Sequence, residues 1–254
     1  MKTPTAVVLV VGNEVLSAKV LDENGPHAAR VLRQRGVQLT AILTLPDRLD
    51  AIEEAISRER PRVDWLFTSG GVGPTHDDVT LLAVARALGR PLERHATLVE
   101  NIRAWHRHLG GEPTEAALRM ADVPEGTRLL GDPLHPVMVV ENIVMLPGPP
   151  QFFRTQFDVF AAALDAPPFH LVCVFVAIGE SRFAQALDRV SREHPQVDIG
   201  SYPRFDDADH RVKVTFESKD AASIEVAVRD FLAALPQGAV VRCEGLSPPS
   251  SRER

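Results

Sequence analysis

The sequence predicts a doubly wound α/β domain with a mostly parallel sheet, followed by a small α+β domain. Two observations predict the first domain. Short β-branched runs, such as residues 6–11, have the continuous apolar character of parallel strands buried on both faces. Segments with apolar residues at helical spacing separate these runs, and this alternation is typical of right-handed βαβ units.

The elements of the first domain follow in order. Strands are predicted at residues 6–11, 37–45 and 63–67, and a hairpin at residues 137–140 and 143–146. Helices are predicted around residues 28–32, 49–56 and 81–89, and over 98–109 and 151–164. In the helix over 98–109, Leu98, Ile102, Trp105 and Leu109 share one apolar face.

The pattern changes at residues 165–168, where two prolines follow Asp165 and Ala166. Beyond them we predict strands at residues 169–177, 197–202, 211–217 and 239–243, with helices at 183–190 and 221–235. The resulting domains are residues 1–166 and 167–245. The polar, proline-containing end at residues 246–254 is predicted to be disordered.

Composition excludes several classes of partner. The net charge is −6 and lysine and arginine form no cluster, so we expect neither nucleic acid nor a membrane as a partner. The two cysteines lack the spacing of a zinc site, and the first apolar run is too short for a signal peptide or a spanning helix. We therefore expect a cytoplasmic protein.

The most informative segment is a glycine-rich turn at residues 68–80, between a predicted strand and a predicted helix. Gly70, Gly71 and Gly73 allow a ligand to approach the backbone, and a helix N-terminus favours anions. Asp77 and Asp78 would repel phosphate unless a divalent cation lay between them. The segment therefore predicts metal-assisted handling of a phosphorylated ligand.

A structural interpretation of the same aspartates stays open. Aspartates in the first turn of a helix are commonly N-caps or partners of the helix dipole. The segment matches neither the dinucleotide-binding pattern GxGxxG nor the phosphate loop GxxxxGK[ST], so neither fold is indicated.

Five spaced motifs together resemble the competence/damage-inducible protein A family, whose first domain has the molybdopterin-binding fold and which also occurs joined to eukaryotic FAD synthase. The motifs are Val11-Gly12-Asn13-Glu14-Val15-Leu16-Ser17, Asp22 with Asn24, Ser69 through Thr80, Leu146-Pro147-Gly148-Pro149-Pro150 and Ile178-Gly179-Glu180-Ser181. The resemblance implies a three-layer α/β domain followed by a small α+β domain, and a homo-oligomer.

The resemblance also implies where the ligand binds, at the carboxyl ends of the strands. Residues expected to contact a nucleotide or pterin there are Gly12, Glu14, Ser69, Gly70, Gly71, Gly73, Thr75, Thr80, Pro147 and Gly148. Two aspartates important in related molybdopterin adenylyltransferases correspond to Asp47 and Asp78. We expect Asp78, Asp47 and Asp77 to be catalytic, with Asp77 and Asp78 as metal ligands.

Two of the departures from the family bear on the ligand wall and on the reaction. Residues 132–136 (Asp-Pro-Leu-His-Pro) replace an Asn-Pro-x-Gly-Thr-Ala-Pro-Gly segment of bacterial members, so part of the ligand wall differs. The deamidase domain that follows in full-length bacterial members is absent from these 254 residues, and we expect no deamidase activity.

Three functions follow from the resemblance. The first is a nucleotide pyrophosphatase that uses Mg²⁺, Mn²⁺ or Co²⁺ and acts on a dinucleotide such as ADP-ribose or FAD. The second is a module that binds a pterin or nucleotide without turnover. The third is molybdopterin adenylyl transfer. The second domain has no glycine-rich phosphate turn, so we expect it to serve assembly or shape the cleft edge.

Overall fold

The computed structural model of the chain describes residues 3–204 and 209–245. Within these ranges the chain forms two compact units, one ending at Ala166 and one beginning at Pro167. The predicted disordered end at residues 246–254 lies outside the described residues.

The first unit contains a six-stranded sheet with the order β2-β1-β3-β8-β7-β6 and a separate ribbon of β4 and β5. Its strands are β1 (Thr5–Val11), β2 (Gln38–Leu45), β3 (Trp65–Ser69), β4 (Leu92–Arg94), β5 (Asp122–Pro124), β6 (Arg128–Leu130), β7 (Val137–Val140) and β8 (Ile143–Leu146). Its helices are α1 (Asn13–Leu16), α2 (Asn24–Gln34), α3 (Leu49–Glu59), α4 (Thr80–Ala87), α5 (Ala96–His108), α6 (Glu115–Leu118) and α7 (Pro150–Ala161). Strands β2, β1, β3 and β8 are parallel, whereas β7 joins β8 antiparallel.

Alternate residues of β1 face two separate cores. Val7, Leu9 and Val11 pack with residues of α3 and α4 on one side of the sheet. Ala6, Val8 and Val10 pack with residues of α2 and α7, including Phe153 and Phe157, on the other side. Because both faces of β1 are buried, its sequence is continuously apolar. This arrangement confirms the predicted three-layer, mostly parallel α/β fold.

The second unit is an antiparallel sheet with the order β10-β11-β9-β12 and two helices. Its elements are β9 (His170–Val176), α8 (Ala184–Glu193), β10 (Asp198–Pro203), β11 (Val212–Ser218), α9 (Ala221–Ala234) and β12 (Val240–Glu244). One face of the sheet packs on the helices, with Val174, Phe216 and Phe231 fully buried in a core of its own. This unit confirms the predicted small α+β domain.

The shared apolar face of α5 is buried near the start of the helix and exposed near its end. Leu98 is buried, but Trp105 is 56% exposed and Leu109 is 64% exposed. The helix contacts α6 and the short segment that leads into β5. Helical spacing predicts a shared face but does not show how far the surface beneath that face extends.

No helix within the described ranges combines the length and the apolar character needed to cross a bilayer.

Candidate ligand site at the carboxyl edge of the sheet

The predicted binding loops meet at one edge of the sheet because the strands before them are parallel. The loops after β1, β2, β3 and β8 begin at Gly12, Pro46, Gly70 and Pro147. Backbone hydrogen bonds join these loops to the neighbouring strands, from the Gly12 N–H to the Leu45 carbonyl (3.1 Å) and from the Gly70 N–H to the Leu146 carbonyl (3.1 Å). Gly148 lies so close to Gly70 that a Cβ atom added to Gly148 would be 3.4 Å from the Gly70 Cα.

Glycine is required at the first two positions of the turn after β3. Gly70 has φ +100°, and an added Cβ atom would lie 2.3 Å from the Val11 carbonyl oxygen. Gly71 has φ +68°, and an added Cβ atom would lie 2.2 Å from Thr80 Oγ1. Both positions combine a left-handed backbone with a close approach, so any side chain would strain the turn.

Thr80 holds the glycine turn against the start of α4. Its side chain is buried, its hydroxyl donates to the Gly70 carbonyl (2.9 Å), and its N–H donates to the Gly71 carbonyl (2.9 Å). The Thr80 hydroxyl is therefore not exposed for the ligand contact that the sequence predicts. Thr80 instead brings a helix N-terminus beside the turn, as the sequence predicts for anion binding.

Three consecutive backbone N–H groups of the turn stay available. Within the described part of the chain, the N–H groups of Gly71, Val72 and Gly73 donate to no protein acceptor. All three residues are half-buried, so this part of the turn borders the surface of the unit. Successive free amides in a turn form a concave site that suits phosphate oxygens.

Asp77 and Asp78 lie in a tight turn before α4 rather than inside the helix. The helix begins at Thr80, its N-cap is Val79, and no side chain caps it. The capping interpretation of the two aspartates is therefore wrong. The Asp78 N–H closes the turn on the Thr75 carbonyl (3.3 Å).

Both carboxylates instead converge on Thr75. The Thr75 hydroxyl lies 2.6 Å from Asp77 Oδ1 and 2.5 Å from Asp78 Oδ2. The Thr75 N–H also donates to Asp78 Oδ2 (2.8 Å). Hydrogen bonding by the Thr75 hydroxyl holds the pKa of Asp77 below its usual value, so this exposed carboxylate stays ionised.

The chemistry of this pair fits a hard divalent cation. A hydroxyl has one proton to donate, so Thr75 can satisfy only one of the two carboxylate oxygens at a time. Asp78 also lies directly beside the turn, because a Cβ atom added to Gly73 would be 2.7 Å from Asp78 Oδ2. Magnesium commonly binds through one or two carboxylates, with waters and substrate phosphates as its other ligands.

Asp47 is held by a different loop. Its Oδ2 accepts the Asn13 N–H (2.7 Å), so the carboxylate joins the loop after β2 to the loop after β1. No group of three metal-ligating side chains within the described residues contains Asp47, Asp77 or Asp78. Glu14 lies on α1 next to Gly12, where its exposed carboxylate faces solvent. The predicted joint role of Asp47 and Asp78 stays a prediction.

Asn24 is a site residue to which the sequence motifs assign no role. It is 6% exposed, and its Nδ2 donates to Ser69 Oγ (2.8 Å) and to the Gly148 carbonyl (2.7 Å). Asp22 Oδ1 accepts the backbone N–H of Asn24 (2.9 Å) and so positions it. Ser69 is buried beneath this contact, so it supports the loops from inside. The Asp22 and Asn24 motif was the only sequence signal for this connection.

The second unit contains a further polar group that the sequence does not reveal. Glu193, His194 and Asp230 place one potential ligand atom each within 4.8 Å of one another. His194 Nε2 lies 2.8 Å from Asp230 Oδ2, so the ring and this carboxylate already pair with each other. The three residues come from α8, the position after it, and α9, which are distant in sequence.

Comparison with known proteins identifies both units. Residues 7–166 match the family described as "Probable molybdopterin binding domain", and residues 168–244 match the family described as "FAD synthase, middle domain". A protein of Archaeoglobus fulgidus is 30% identical over 227 residues, which cover 89% of this chain and 95% of that protein.

A second relative and a solved structure extend the comparison. The "Probable FAD synthase" of Caenorhabditis elegans is 29% identical over 259 residues, covering 90% of this chain and 50% of that protein, so the chain spans about half the length of this relative. The CinA protein of Thermoplasma acidophilum has 26% identity and a TM-score of 0.58, covering 64% of this chain and 99% of that one.

These matches confirm the resemblance found in the sequence motifs: the chain belongs to the family of the molybdopterin-binding domain, with a domain of the kind found in the middle of FAD synthase following it.

Proposed function

We propose that this protein is a metal-dependent nucleotide pyrophosphatase that hydrolyses the phosphoanhydride bond of a dinucleotide such as ADP-ribose or FAD. One observation supports the proposal most. The Asp77 and Asp78 carboxylates both contact the Thr75 hydroxyl, and they lie beside three backbone N–H groups that donate to no protein acceptor. This combination suits a bound cation together with the phosphates that it would neutralise.

The residues of the site have separate roles in this proposal. The N–H groups of Gly71, Val72 and Gly73 bind the bridging phosphates and stabilise the negative charge that develops during hydrolysis. Asp77 and Asp78 hold a divalent cation, which when bound polarises a phosphoryl oxygen and lowers the pKa of a bound water. The hydroxyl and the backbone N–H of Thr75 together hold the two carboxylates side by side before the ligand arrives.

The test is hydrolysis of ADP-ribose and FAD by purified protein with Mg²⁺, Mn²⁺ or Co²⁺, followed by chromatography of the products. We expect Asp78→Asn to lower the rate on the order of 10²-fold or more, as the loss of one electrostatic contact to a transition state commonly does. Asp220→Asn is the matched control, because the Asp220 carboxylate also accepts one hydroxyl (Ser223) and one backbone N–H (Ala222). A wild-type protein that leaves all substrates intact with every metal would contradict the proposal.

A second candidate is a module that binds a nucleotide or pterin without turnover. The position of Asp47 favours it, because that carboxylate is bound to Asn13 and belongs to no metal-ligating group with Asp78. Calorimetry separates the two functions. Tight nucleotide binding without product formation would support the binding module.

A further inference from the structure

Two exposed aromatic side chains, His135 and Phe152, lie at the same edge of the sheet as the glycine turn. β7 runs antiparallel to β8, with Met138 opposite Met145, so the start of β7 lies beside the end of β8. His135 comes just before β7, and Phe152 lies in the first turn of α7, four residues after Gly148. The loop that contains Gly148 contacts the turn at Gly70 and is held there by Asn24.

The two rings lie next to each other and leave surface uncovered. Their centroids are 6.4 Å apart, and the ring planes are inclined by 35°. Phe152 is 50% exposed and the neighbouring Leu134 is 61% exposed. The next residue, Phe153, is fully buried, so the exposure of Phe152 reflects its place on the outer side of α7.

The segment that carries His135 is fixed by its own hydrogen bonds. The Leu134 N–H donates to Asp132 Oδ1 (2.9 Å), which forms a local turn. Asn101 on α5 donates its Nδ2 to the Pro133 carbonyl. The rings are therefore positioned without a ligand, and such preorganisation lowers the entropic cost of binding.

We infer that His135 and Phe152 form a stacking subsite for the planar ring of the ligand whose phosphates bind the glycine turn. The inference rests on the proposed function. It requires that the ligand have a planar heteroaromatic ring that remains accessible for stacking, in addition to its phosphates. In the strand order β3-β8-β7, the start of β7 lies two strands from the end of β3, a separation of about 10 Å. The diphosphate and one ribose of a dinucleotide can together span such a gap between the glycine turn and a ring.

One of the two rings lies in a segment whose sequence differs from that of bacterial members of the family. His135 belongs to the segment at residues 132–136, which departs from the pattern of bacterial members. Aromatic faces bind flat rings with little dependence on the identity of the base. We therefore expect FAD and ADP-ribose both to bind, and a ligand with phosphates but no ring to gain nothing from this surface.

The test compares a ligand that has a ring with one that has none. FAD is titrated in Ca²⁺, its fluorescence is recorded, and chromatography verifies that it stays intact. Pyrophosphate is titrated by calorimetry under the same conditions. We expect Phe152→Leu to weaken FAD binding about tenfold and to reduce flavin quenching, with pyrophosphate affinity unchanged. His135→Gln is a second variant, on a separate loop, in case the first perturbs α7.

Tyr202→Leu is the matched control, because Tyr202 is a 54% exposed aromatic residue in the second unit. It should leave both affinities unchanged. If the wild type binds FAD and both variants bind it equally well, the subsite is wrong and the proposed function stands. If the wild type binds neither FAD nor pyrophosphate, the proposed function fails as well. Unchanged FAD affinity with a lower mass by light scattering would assign the surface to contact with a second copy.

Discussion

Two glycines of the first unit with a similar left-handed backbone have very different surroundings. Gly71 (φ +68°) faces the Thr80 hydroxyl, whereas Gly89 (φ +64°) has no neighbour within 4 Å of an added Cβ atom. Gly89→Ala should therefore lower the free energy of unfolding by only about 1–2 kcal/mol, the cost of a left-handed alanine. Gly71→Ala should lower it by about 1–3 kcal/mol more, because it displaces a buried hydrogen bond. Urea unfolding measures both, and equal losses would show that Thr80 adjusts freely.

The pKa of Asp77 gives a second prediction for a single residue. Because the Thr75 hydroxyl lowers this pKa, Thr75→Val should raise it towards its ordinary value. A carboxyl group whose pKa is lower in the folded than in the unfolded chain stabilises the folded protein. This stabilisation is fully present at a pH above the unfolded pKa, and it is lost as the pH falls through the folded pKa. The wild type should thus bind a divalent cation at lower pH than the variant does.

Carbon-detected NMR titration of the Asp77 carboxyl group tests this directly. Asp50 serves as an internal control, because its pKa is lowered by Arg48, which the substitution does not touch. An unchanged Asp77 titration in the variant would show that Thr75 does not set the charge of the pair.

The backbone of the glycine-rich motif could be predicted, but the direction of its side chains could not. Gly70 and Gly71 form the turn between a strand and a helix that the motif predicts, because glycine readily adopts the left-handed backbone found there. Contact of the glycines and the aspartate pair with a ligand stays a prediction. Ser69 and Thr80 belong to the same motif, yet both are buried. The Ser69 hydroxyl accepts from Asn24 of α2, and the Thr80 hydroxyl donates to the Gly70 carbonyl. A small hydroxyl serves a ligand or a turn equally well, and the sequence does not give its direction.

At the scale of elements, Asn24 joins the start of α2 to the end of β3 and to the loop after β8. Asn24→Ala should lower the free energy of unfolding by about 1–3 kcal/mol, since it removes two hydrogen bonds in a buried place. It should also weaken nucleotide binding, because Gly148 and the glycine turn lose their common support.

Asn142 provides a matched control at the opposite edge of the sheet. Its Nδ2 also donates two hydrogen bonds, to the Arg60 carbonyl (3.2 Å) and the Val63 carbonyl (3.1 Å). Asn142→Ala should lower the free energy of unfolding by a similar amount and leave nucleotide affinity unchanged. Calorimetry and thermal unfolding of both variants would show whether Asn24 acts on the site or only on stability.

The alternation of strands and helices could be predicted because burial on both faces leaves a continuous apolar run in each central strand. Three short strands, β4, β5 and β6, could not be predicted, because each has only three residues and shows no alternating pattern. The exposed end of α5 has a similar origin. Its packing depends on how far a neighbouring segment reaches, which no local pattern records.

Each unit of the molecule has its own hydrophobic core. Both cores of the first unit are built from residues before Pro167, and the core of the second unit from residues after it. The sequence pattern changes at residues 165–168, where one unit ends at Ala166 and the other begins at Pro167. The group of Glu193, His194 and Asp230 could not be predicted, because its members are brought together only by the packing of α8 and α9.

The separate cores lead to a prediction for a shortened chain that ends at Ala166. Since the glycine turn, the aspartate pair and Asn24 all lie before that residue, we expect residues 1–166 to fold and to bind FAD with an affinity near that of the whole chain. Circular dichroism checks the fold, and light scattering compares the mass with the homo-oligomer predicted for the whole chain. Asp78→Asn in the shortened chain is the control for binding at the same site. A folded shortened chain without FAD affinity would mean that the site needs residues after Ala166, and the second unit would then belong to the binding machinery.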